Sequence, residues 1–402
     1  MRRTDLHPTL QASCIAIPGH SGCYAVVPPP GPVSVTLPEA YPLFVLARRE
    51  IEALTSIIKR NTVFSDLVFR LLNRRDAVDS SQIEGLQTQL DGLLIHEIET
   101  GTIDAGQASD ADKTFSCVRA FAAGSHEVDL HGQAALTQDL IKSLHRELIR
   151  GQERAEPGQW RTVQNYIGTR LETAHYVPPP ATEVPRLMQD LEKLLQYRPD
   201  GMVEVSILMR AGIAHAQFEA IHPFRDGNGR VGRLLLPLMF KAAGAPPIHL
   251  STFLKIRQRE YYAALLEMQT RMNWAPWMRL FLECMIASCR HTVELFVDLE
   301  TIKGRWRQVI AGTGRRRNAT IWQVADLLIG QPVVTANMVA GRLGVTFPAA
   351  NDAIASLVDL GVLHPANGQR RHRVFHAHDV MNALYRGVDA ALDDVARLTG
   401  LE

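Results

Sequence analysis

Apolar residues recur at helical spacing through most of residues 1–310 of this 402-residue chain. One such set is Ile83, Leu86, Leu90 and Leu93, within a helical region that spans about 42–98. Further helices are predicted at about 110–124, 137–150, 184–197, 203–220, 229–242, 257–272 and 275–310. The pattern predicts an all-α fold class, mainly helical, and the length suggests two or three domains.

Two regions depart from this helical pattern. Residues 1–38 hold seven prolines without a clear period, which indicates an extended N-terminal arm. The stretch from Trp160 to Pro180 has β-favouring residues around Gly168 and ends in three prolines, so a short β-hairpin is predicted there.

The segment that follows the helix predicted at 203–220 is the most informative part of the chain. Asp226-Gly227-Asn228-Gly229 forms a loop with two glycines, and the next helix opens with Arg230 and Arg233 on one face. Free backbone N–H groups and the helix dipole make such a helix start an anion site. The two arginines add fixed positive charge to it.

A carboxylate and an imidazole complete this segment. Asp226 suits Mg²⁺, which prefers one or two carboxylates together with phosphate oxygens. His222 can accept a hydroxyl proton near neutral pH. Phosphate cradle, metal carboxylate and base are the parts that phosphoryl or nucleotidyl transfer requires.

Residues 222–233 resemble, at every specified position, the signature of the Fic family. That signature reads His, any residue, Phe, any residue, Asp or Glu, Gly-Asn-Gly-Arg, two of any residue and Arg. The resemblance extends over about 25–300, where 157–161 and 175–180 are similar to the segment that leads into the family's flap hairpin. Tyr261-Tyr262 and 274–277 are similar to its later helices.

This resemblance implies a protein adenylyltransferase that moves AMP from ATP, with Mg²⁺, to a Ser, Thr or Tyr hydroxyl of a target protein. It makes His222 the general base and Asp226 the metal ligand, while Phe224 packs inward. The ATP-binding residues that it implies are Asp226, Gly227, Asn228, Gly229, Arg230, Val231, Gly232, Arg233, Asn165, Tyr166, Ile167, Gly168 and Tyr261.

An upstream motif resembles the inhibitory-helix pattern of the same family. Ser80 and Glu84 lie four residues apart, Gly85 follows, and both side chains are expected on one face of a helix at about 76–98. The resemblance implies that Glu84 pairs with Arg233 and takes away the cation that should hold the γ-phosphate. The chain is therefore expected to inhibit itself and, when released, to modify itself as well as its targets.

A basic linker is predicted at 311–318, followed by a separate unit at 319–402. The latter has three predicted helices at 322–329, 336–343 and 347–360, then strands at 362–364 and 373–375 around Asn367-Gly368. Helix-turn-helix plus hairpin is the plan of a winged-helix module. The third helix carries Asp352 and Asp359 without Lys or Arg, while basic charge lies at 315–317 and 370–373. DNA binding through phosphates and protein docking both stay open.

These features divide the chain into an arm at 1–38, an N-terminal helical region at 39–125, a Fic-type core at 126–310, the linker and the winged-helix unit. The formal charge of +1 argues against a field that attracts nucleic acid to the whole protein. Five scattered cysteines without a CxxC pair fit a reducing compartment, and no membrane span or signal peptide is found. The expected location is the cytoplasm.

Several alternatives remain at this point. The same fold could transfer UMP, phosphate or phosphocholine, or remove AMP from modified targets. A different class is a DNA-binding regulator in which the Fic core only senses a nucleotide. A homodimer also stays open.

Overall fold

The computed structural model describes residues 1–99, 108–197, 206–316, 319–366 and 373–399. Helices dominate these residues, which confirms the predicted fold class. The first nine helices are α1 Pro8–Ser13, α2 Tyr41–Arg60, α3 Thr62–Ile83, α4 Leu90–Glu99, α5 Asp110–His131, α6 Gln138–Leu148, α7 Val184–Leu195, α8 Ile207–Ile221 and α9 Asn228–Ala242. The others are α10 Ser251–Ile256, α11 Gln258–Arg271, α12 Ala275–Ala311, α13 Thr320–Gly330, α14 Ala336–Leu343, α15 Phe347–Asp359, α16 His378–Tyr385 and α17 Val388–Thr399.

Five short strands accompany these helices. They are β1 Ile15–Ala16, β2 Tyr24–Ala25, β3 Val333–Val334, β4 His364–Pro365 and β5 Phe375–His376. β1 pairs antiparallel with β2, and the other three form an antiparallel sheet in the order β3-β5-β4.

The N-terminal segment is more structured than the extended arm that its prolines predicted. Pro8 stands at the start of α1, where its missing N–H costs nothing, and the His7 ring accepts a hydrogen bond from Thr9 N. Leu10 is 1% exposed and belongs to the main core, so the segment packs onto the body of the protein.

The predicted hairpin at 160–180 is reduced to a single antiparallel bridge between Ile167 and Tyr176. A 3₁₀ turn at Leu171–Thr173 occupies the tip, and the prolines at 178–180 cannot donate ladder hydrogen bonds. The segment is therefore an irregular flap, which buried Arg161 ties to the rest of the protein.

Helices α8 and α9 are largely buried, and the motif of residues 222–233 begins at their junction. Ser206 caps α8 by accepting a hydrogen bond from Met209 N. Almost every residue of α8 is buried, as expected for a helix that is enclosed on all sides. Trp277 of the long helix α12 donates its indole N–H to Gly212 O at 2.7 Å and fixes α8 from behind.

The three helices predicted after residue 319 are confirmed as α13 to α15. Thr335 and Thr346 cap α14 and α15, and Gly344 provides the left-handed turn between them. The sequence reading missed β3, α16 and α17 and placed the other two strands about two residues early. The turn at 367–368 and the basic residues 317 and 370–372 lie outside the described residues. The winged-helix assignment stays a prediction.

The C-terminal part packs closely against the N-terminal helices instead of standing apart from them. Arg75 of α3, which is 3% exposed, donates to the carbonyl of Leu384 and lies 5.3 Å from the Tyr385 ring centroid. His291 of α12 lies 3.1 Å from the carbonyl of Arg386. Apolar residues of both parts belong to one continuous core, so α3 is held on both sides.

Replacing Arg75 with alanine tests this junction. The carbonyl of Leu384 would lose the Arg75 donor, and Asp79, 3.6 Å from Arg75 Nε, would lose one of its cationic partners, so we expect unfolding to become easier by about 3 kcal/mol. The matched control is Arg48→Ala, whose pair with Glu52 is 79% and 69% exposed, and which should change stability by less than about 1 kcal/mol. Denaturant unfolding measures both, and equal effects would contradict the packing described here.

Candidate active site

The loop between α8 and α9 begins at His222, which closes α8 in the left-handed region with φ of 49°. Pro223 follows, and proline disfavours helical geometry in the residue before it. Arg161 fixes this turn because its Nε donates to His222 O at 2.9 Å, while its own backbone N–H donates to Pro223 O at 2.9 Å. The left-handed backbone of His222 is thus imposed by tertiary contacts.

Phe224 anchors the middle of the loop. It is fully buried and stacks on the His145 ring with centroids 3.7 Å apart. The Asn228 side chain accepts from Phe224 N and donates to Phe224 O, both at 2.8 Å. Asn165 of the flap donates to the same carbonyl at 2.8 Å. Asn228 therefore closes the loop with its side chain.

The start of α9 presents positive charge without a compensating cap. Gly227 precedes the helix with φ of 79°, and no side chain of the N-cap residue accepts from the backbone N–H groups of the first turn of α9. Arg230 is 5% exposed, and its Nε and Nη1 have no hydrogen-bond partner among the described residues. Buried donors without partners are costly, so they indicate a place for an anion.

Asp226 stands at the mouth of this anion site. Its side chain is 61% exposed, and Oδ2 lies 3.8 Å from Arg230 Nη2. No group of three or more His, Cys, Asp or Glu residues in the described ranges could hold a metal ion. A single exposed carboxylate fits Mg²⁺ that takes its other ligands from phosphates and water.

Arg233, one turn further along α9, is bound through its Nε and Nη2 by the end of α3. Its Nε donates to Ser80 Oγ at 2.9 Å, and its Nη2 donates to Ser80 O at 3.0 Å and to Glu84 Oε1 at 2.6 Å. Arg233 is 2% exposed, while the Glu84 side chain is 34% exposed. The structure thus brings Ser80 and Glu84 into contact with Arg233, the pairing that the family resemblance implied.

The helix expected at about 76–98 is wrong as a single element. Helix α3 ends at Ile83, Glu84 is its C-cap residue, and Gly85 takes φ of 85° before α4 begins at Leu90. This break places Glu84 across the start of α9. Its carboxylate lies so close to Gly229 that a Cβ added at that position would collide with Glu84 Oε1.

The charges in this site shift the acidities of its groups. Burial alone would raise the pKa of Glu84, but Arg233 holds that pKa below its usual value through charge and hydrogen bonding. Burial lowers the pKa of His222 to about 4, and the Arg161 charge acts in the same direction. At neutral pH, therefore, His222 is an unprotonated imidazole that can accept a proton.

Side chains from α10 and α11 hold the end of α3 in place. Lys255 binds Asp79 at 2.9 Å and also contacts Gln82. Gln258 Nε2 donates to Ile83 O at 3.0 Å, and Tyr262 OH reaches the same carbonyl at 3.4 Å. Glu84 is therefore presented by a helix end that is fixed from a second direction.

Three of the residues expected to contact the nucleotide are buried, and their contact with it stays a prediction. Val231 is fully buried in the core, and Gly232 packs against Glu219 inside the protein. Tyr261 is 1% exposed and donates its hydroxyl to His215 at 2.8 Å. Val231 and Gly232 thus belong to the buried face of α9, and Tyr261 is bonded to His215 of α8.

The flap residues lie at the surface near the loop. Tyr166 and Ile167 are 45% and 37% exposed, and Gly168 takes φ of 144° where the backbone turns. Sequence reasoning missed the buried polar residues behind the site, which are Arg161, Glu219, His145 and His215. Glu219 could have been found from its position three residues before His222. Arg161, His145 and His215 are distant from the motif in sequence or belong to no recognisable sequence pattern.

Gly232→Ala tests the close packing beneath the loop. A Cβ at this position would lie 2.5 Å from Glu219 Oε1 and 3.1 Å from Phe218 Cδ1, so we expect destabilisation by about 1–3 kcal/mol. Gly304→Ala in α12 is the control, because its Cβ meets nothing within 4 Å and alanine should stabilise that helix by about 1 kcal/mol. Thermal unfolding should therefore shift in opposite directions for the two variants.

Comparisons with known proteins agree with this geometry. Residues 135–240 match the model of the Fic/DOC family, and 41–126 match that of the Fic/DOC family N-terminal region. Protein adenylyltransferase Fic of Drosophila grimshawi is 31% identical over 144 residues, which are 36% of this chain and 27% of that protein. Protein adenylyltransferase fic-1 of Caenorhabditis elegans is 34% identical over 129 residues, 32% of this chain and 23% of that protein. The chain thus spans about a quarter of these curated relatives.

A solved structure extends the likeness of the fold. The Fic family protein from Desulfovibrio desulfuricans G20 has a TM-score of 0.51 and 19% identity, over 87% of this chain and 98% of that one.

In the described ranges, no helix is long and apolar enough to cross a membrane. The chain carries a Fic domain at residues 135–240, preceded by the N-terminal region of the Fic/DOC family at 41–126.

Proposed function

We propose that this chain is a protein adenylyltransferase that transfers AMP from ATP to a Ser, Thr or Tyr hydroxyl of a target protein. One observation carries the proposal: the imidazole of His222, whose side chain is 21% exposed and whose pKa is lowered to about 4, shares a loop with a helix start whose Arg230 lacks partners for two buried donors. A base beside an anion site is what hydroxyl attack on a nucleotide phosphate requires. The adenylyltransferase names of the matched relatives support the same activity.

The reaction follows from the positions of these groups. The target oxygen attacks the α-phosphorus of ATP, the bond from that phosphorus to the oxygen bridging to the β-phosphate breaks, and pyrophosphate leaves. His222 takes the hydroxyl proton. The α9 N–H groups and Arg230 stabilise the charge that builds on the phosphate oxygens. Bound Mg²⁺ would supply further neutralisation of that charge next to Asp226.

In the described conformation the chain would restrain this reaction. Arg233 is the second cation of the motif, and Ser80 and Glu84 already take its Nε and Nη2 donors. A γ-phosphate would have to displace a carboxylate that is held by a charge-assisted hydrogen bond. We propose that this contact is autoinhibitory and that its release permits modification of targets and of the chain itself.

Glu84→Gly should raise AMP transfer, with self-modification as the simplest readout. A hydrogen bond to a charged group is worth about 1.5–3 kcal/mol, which corresponds to a gain of roughly 10- to 150-fold. Purified protein is incubated with Mg²⁺ and ATP labelled at the α-phosphate, and retained label and intact mass are measured. Glu99→Gly, at the end of α4, is the matched control and should leave the basal rate unchanged.

The double variant Glu84→Gly with Arg233→Ala should lose the gain, because the freed cation would be missing. No increase for Glu84→Gly on any target or on itself would show that the Arg233 contact is structural. A mass change of UMP, phosphate or phosphocholine, or loss of AMP from a modified target, would replace the proposed reaction by another of this fold.

Asp226→Asn should suppress transfer in the activated Glu84→Gly protein, and chelation of Mg²⁺ should do the same. We expect a loss of about 100-fold or more, because the metal would no longer be held at the phosphates. This loss is comparable to that expected on removing His222, since a general base contributes about 10²–10⁴-fold. Asp139→Asn places the same change in the first turn of another helix and should have no effect. Transfer that continues at full rate without divalent metal would exclude this role of Asp226.

DNA binding receives no such support from the described residues. Helix α15 carries Asp352, whose carboxylate binds Arg315 of the linker at 2.8 Å. Arg342 of α14 lies 3.6 Å from Glu97. Since this basic charge is already paired with carboxylates, we propose no DNA-binding function.

A further inference from the structure

Two buried polar atoms face each other behind the catalytic loop. Glu219 Oε2 lies 3.9 Å from His222 Nδ1, just beyond hydrogen-bond distance. In the described part of the chain, neither His222 Nδ1 nor Glu219 Oε1 has a hydrogen-bond partner. The Glu219 side chain is 8% exposed, so water does not readily satisfy it.

The other two histidines near the loop differ from His222 in this respect. His145 accepts from Gly158 N at 2.8 Å and donates to Asp226 O at 3.0 Å. His215 donates to Gly232 O at 3.1 Å and accepts from Tyr261 OH at 2.8 Å. A carbonyl only accepts and an N–H only donates, so the partners of these rings select one tautomer of each. The ring with the proposed catalytic role is the one whose Nδ1 lacks such a partner.

We propose that Glu219 is a positioning residue that accepts a hydrogen bond from the Nδ1–H of His222 and so keeps Nε2 unprotonated for catalysis. The proposal rests on the proposed function, in which His222 is the base. It requires the ring and the carboxylate to approach by less than about 1 Å, within the tightening that catalytic hydrogen bonds undergo when substrate binds.

This contact would act on each stage of proton transfer. A neutral imidazole carries one N–H, and an acceptor at Nδ1 places it there. When the target hydroxyl gives its proton to Nε2, the ring becomes an imidazolium whose Nδ1 proton stays in place. The Glu219 carboxylate then lies beside the new positive charge and stabilises it.

The shape of α9 keeps Glu219 in this position. Its Oε1 packs against the Cα of Gly232, where any larger residue would push the carboxylate away. Position 232 is free in the family signature, yet here it must stay small because of this neighbour. The backbone carbonyl of Glu219 also lies near the His222 ring and raises its pKa, so it is the competing acceptor for Nδ1.

The charged and titratable groups around Glu219 give the contact a pH dependence. Arg233 of α9 lowers its pKa and Glu84 of α3 raises it, but burial is the largest influence and brings the pKa to about 7. Tyr261 of α11 and His215 of α8 also adjoin this pocket. A protonated Glu219 would donate to Nδ1 and leave the ring hydrogen on Nε2, which would block the base.

The first experiment measures the tautomer directly and does not depend on activity. The whole chain is labelled with ¹⁵N-histidine, and His222→Ala identifies the His222 signals among the 15 histidines. At pH 8 we expect the Nδ1–H form in the wild type and a shift towards Nε2–H in Glu219→Ala. The control Glu283→Ala removes a glutamate that is 3% exposed and distant from the loop, and it should leave the His222 signals unchanged. An unchanged tautomer in Glu219→Ala would assign the role to the backbone carbonyl and overturn the proposal.

The second experiment measures AMP transfer in the Glu84→Gly background. Glu219→Ala should lower kcat on the order of 10- to 100-fold, less than the whole contribution of a general base, with little change in KM for ATP. Glu219→Gln can still accept from Nδ1 and should recover part of the rate. The decline of kcat at acid pH should move to lower pH in Glu219→Gln, since that side chain does not titrate. A purely structural Glu219 would leave the pH profile unchanged, which would contradict the proposal.

The two experiments separate failure of the inference from failure of the proposed function. Absence of AMP transfer in Glu84→Gly, with the tautomer shift observed, would refute the function and leave the Glu219–His222 contact established. Normal transfer in Glu219→Ala would refute the inference and leave the adenylyltransferase proposal intact.

Discussion

The buried guanidinium of Arg233 is the interaction on which the arrangement of the site depends. It lies on α9, yet the acceptors of its Nε and Nη2 donors are at the end of α3, more than 140 residues earlier in the chain. An arginine that is 2% exposed needs compensating acceptors, because an unpaired buried charge costs several kcal/mol. Ser80 and Glu84 supply these acceptors, so a phosphate that took over Nε and Nη2 would have to replace them.

Helix α3 therefore connects parts of the chain that the sequence separates. Its C-terminal end contacts the α9 start, its middle carries Arg75 against Leu384 of α16, and Lys255 holds it from α10. The position of Glu84 is set by all of these contacts together. Since the C-terminal part packs on the same helix, it also contributes to holding α3 where Glu84 contacts Arg233.

A second set of constraints fixes the base. The left-handed backbone of His222 is unfavourable for a residue with a Cβ, and Arg161 secures it through the carbonyl of that residue and of Ile221. Phe224 is held by His145 and Asn228. The ring of His222 is thus positioned by these neighbours, and desolvation lowers its pKa to about 4.

The sequence by itself determined the helical class, most helix positions and the motif from His222 to Arg233, because helical periodicity and local spacing are properties of neighbouring residues. It also linked Glu84 to Arg233 through a family resemblance. Tertiary structure alone decided that α3 ends at Ile83, that Asn228 closes the loop, and that Tyr261 and Val231 lie under the site. It also placed Glu219 behind His222 and packed residues 319–399 onto α3 and α12. Burial and long-range packing set these features, and no local pattern records which distant residues a side chain will meet.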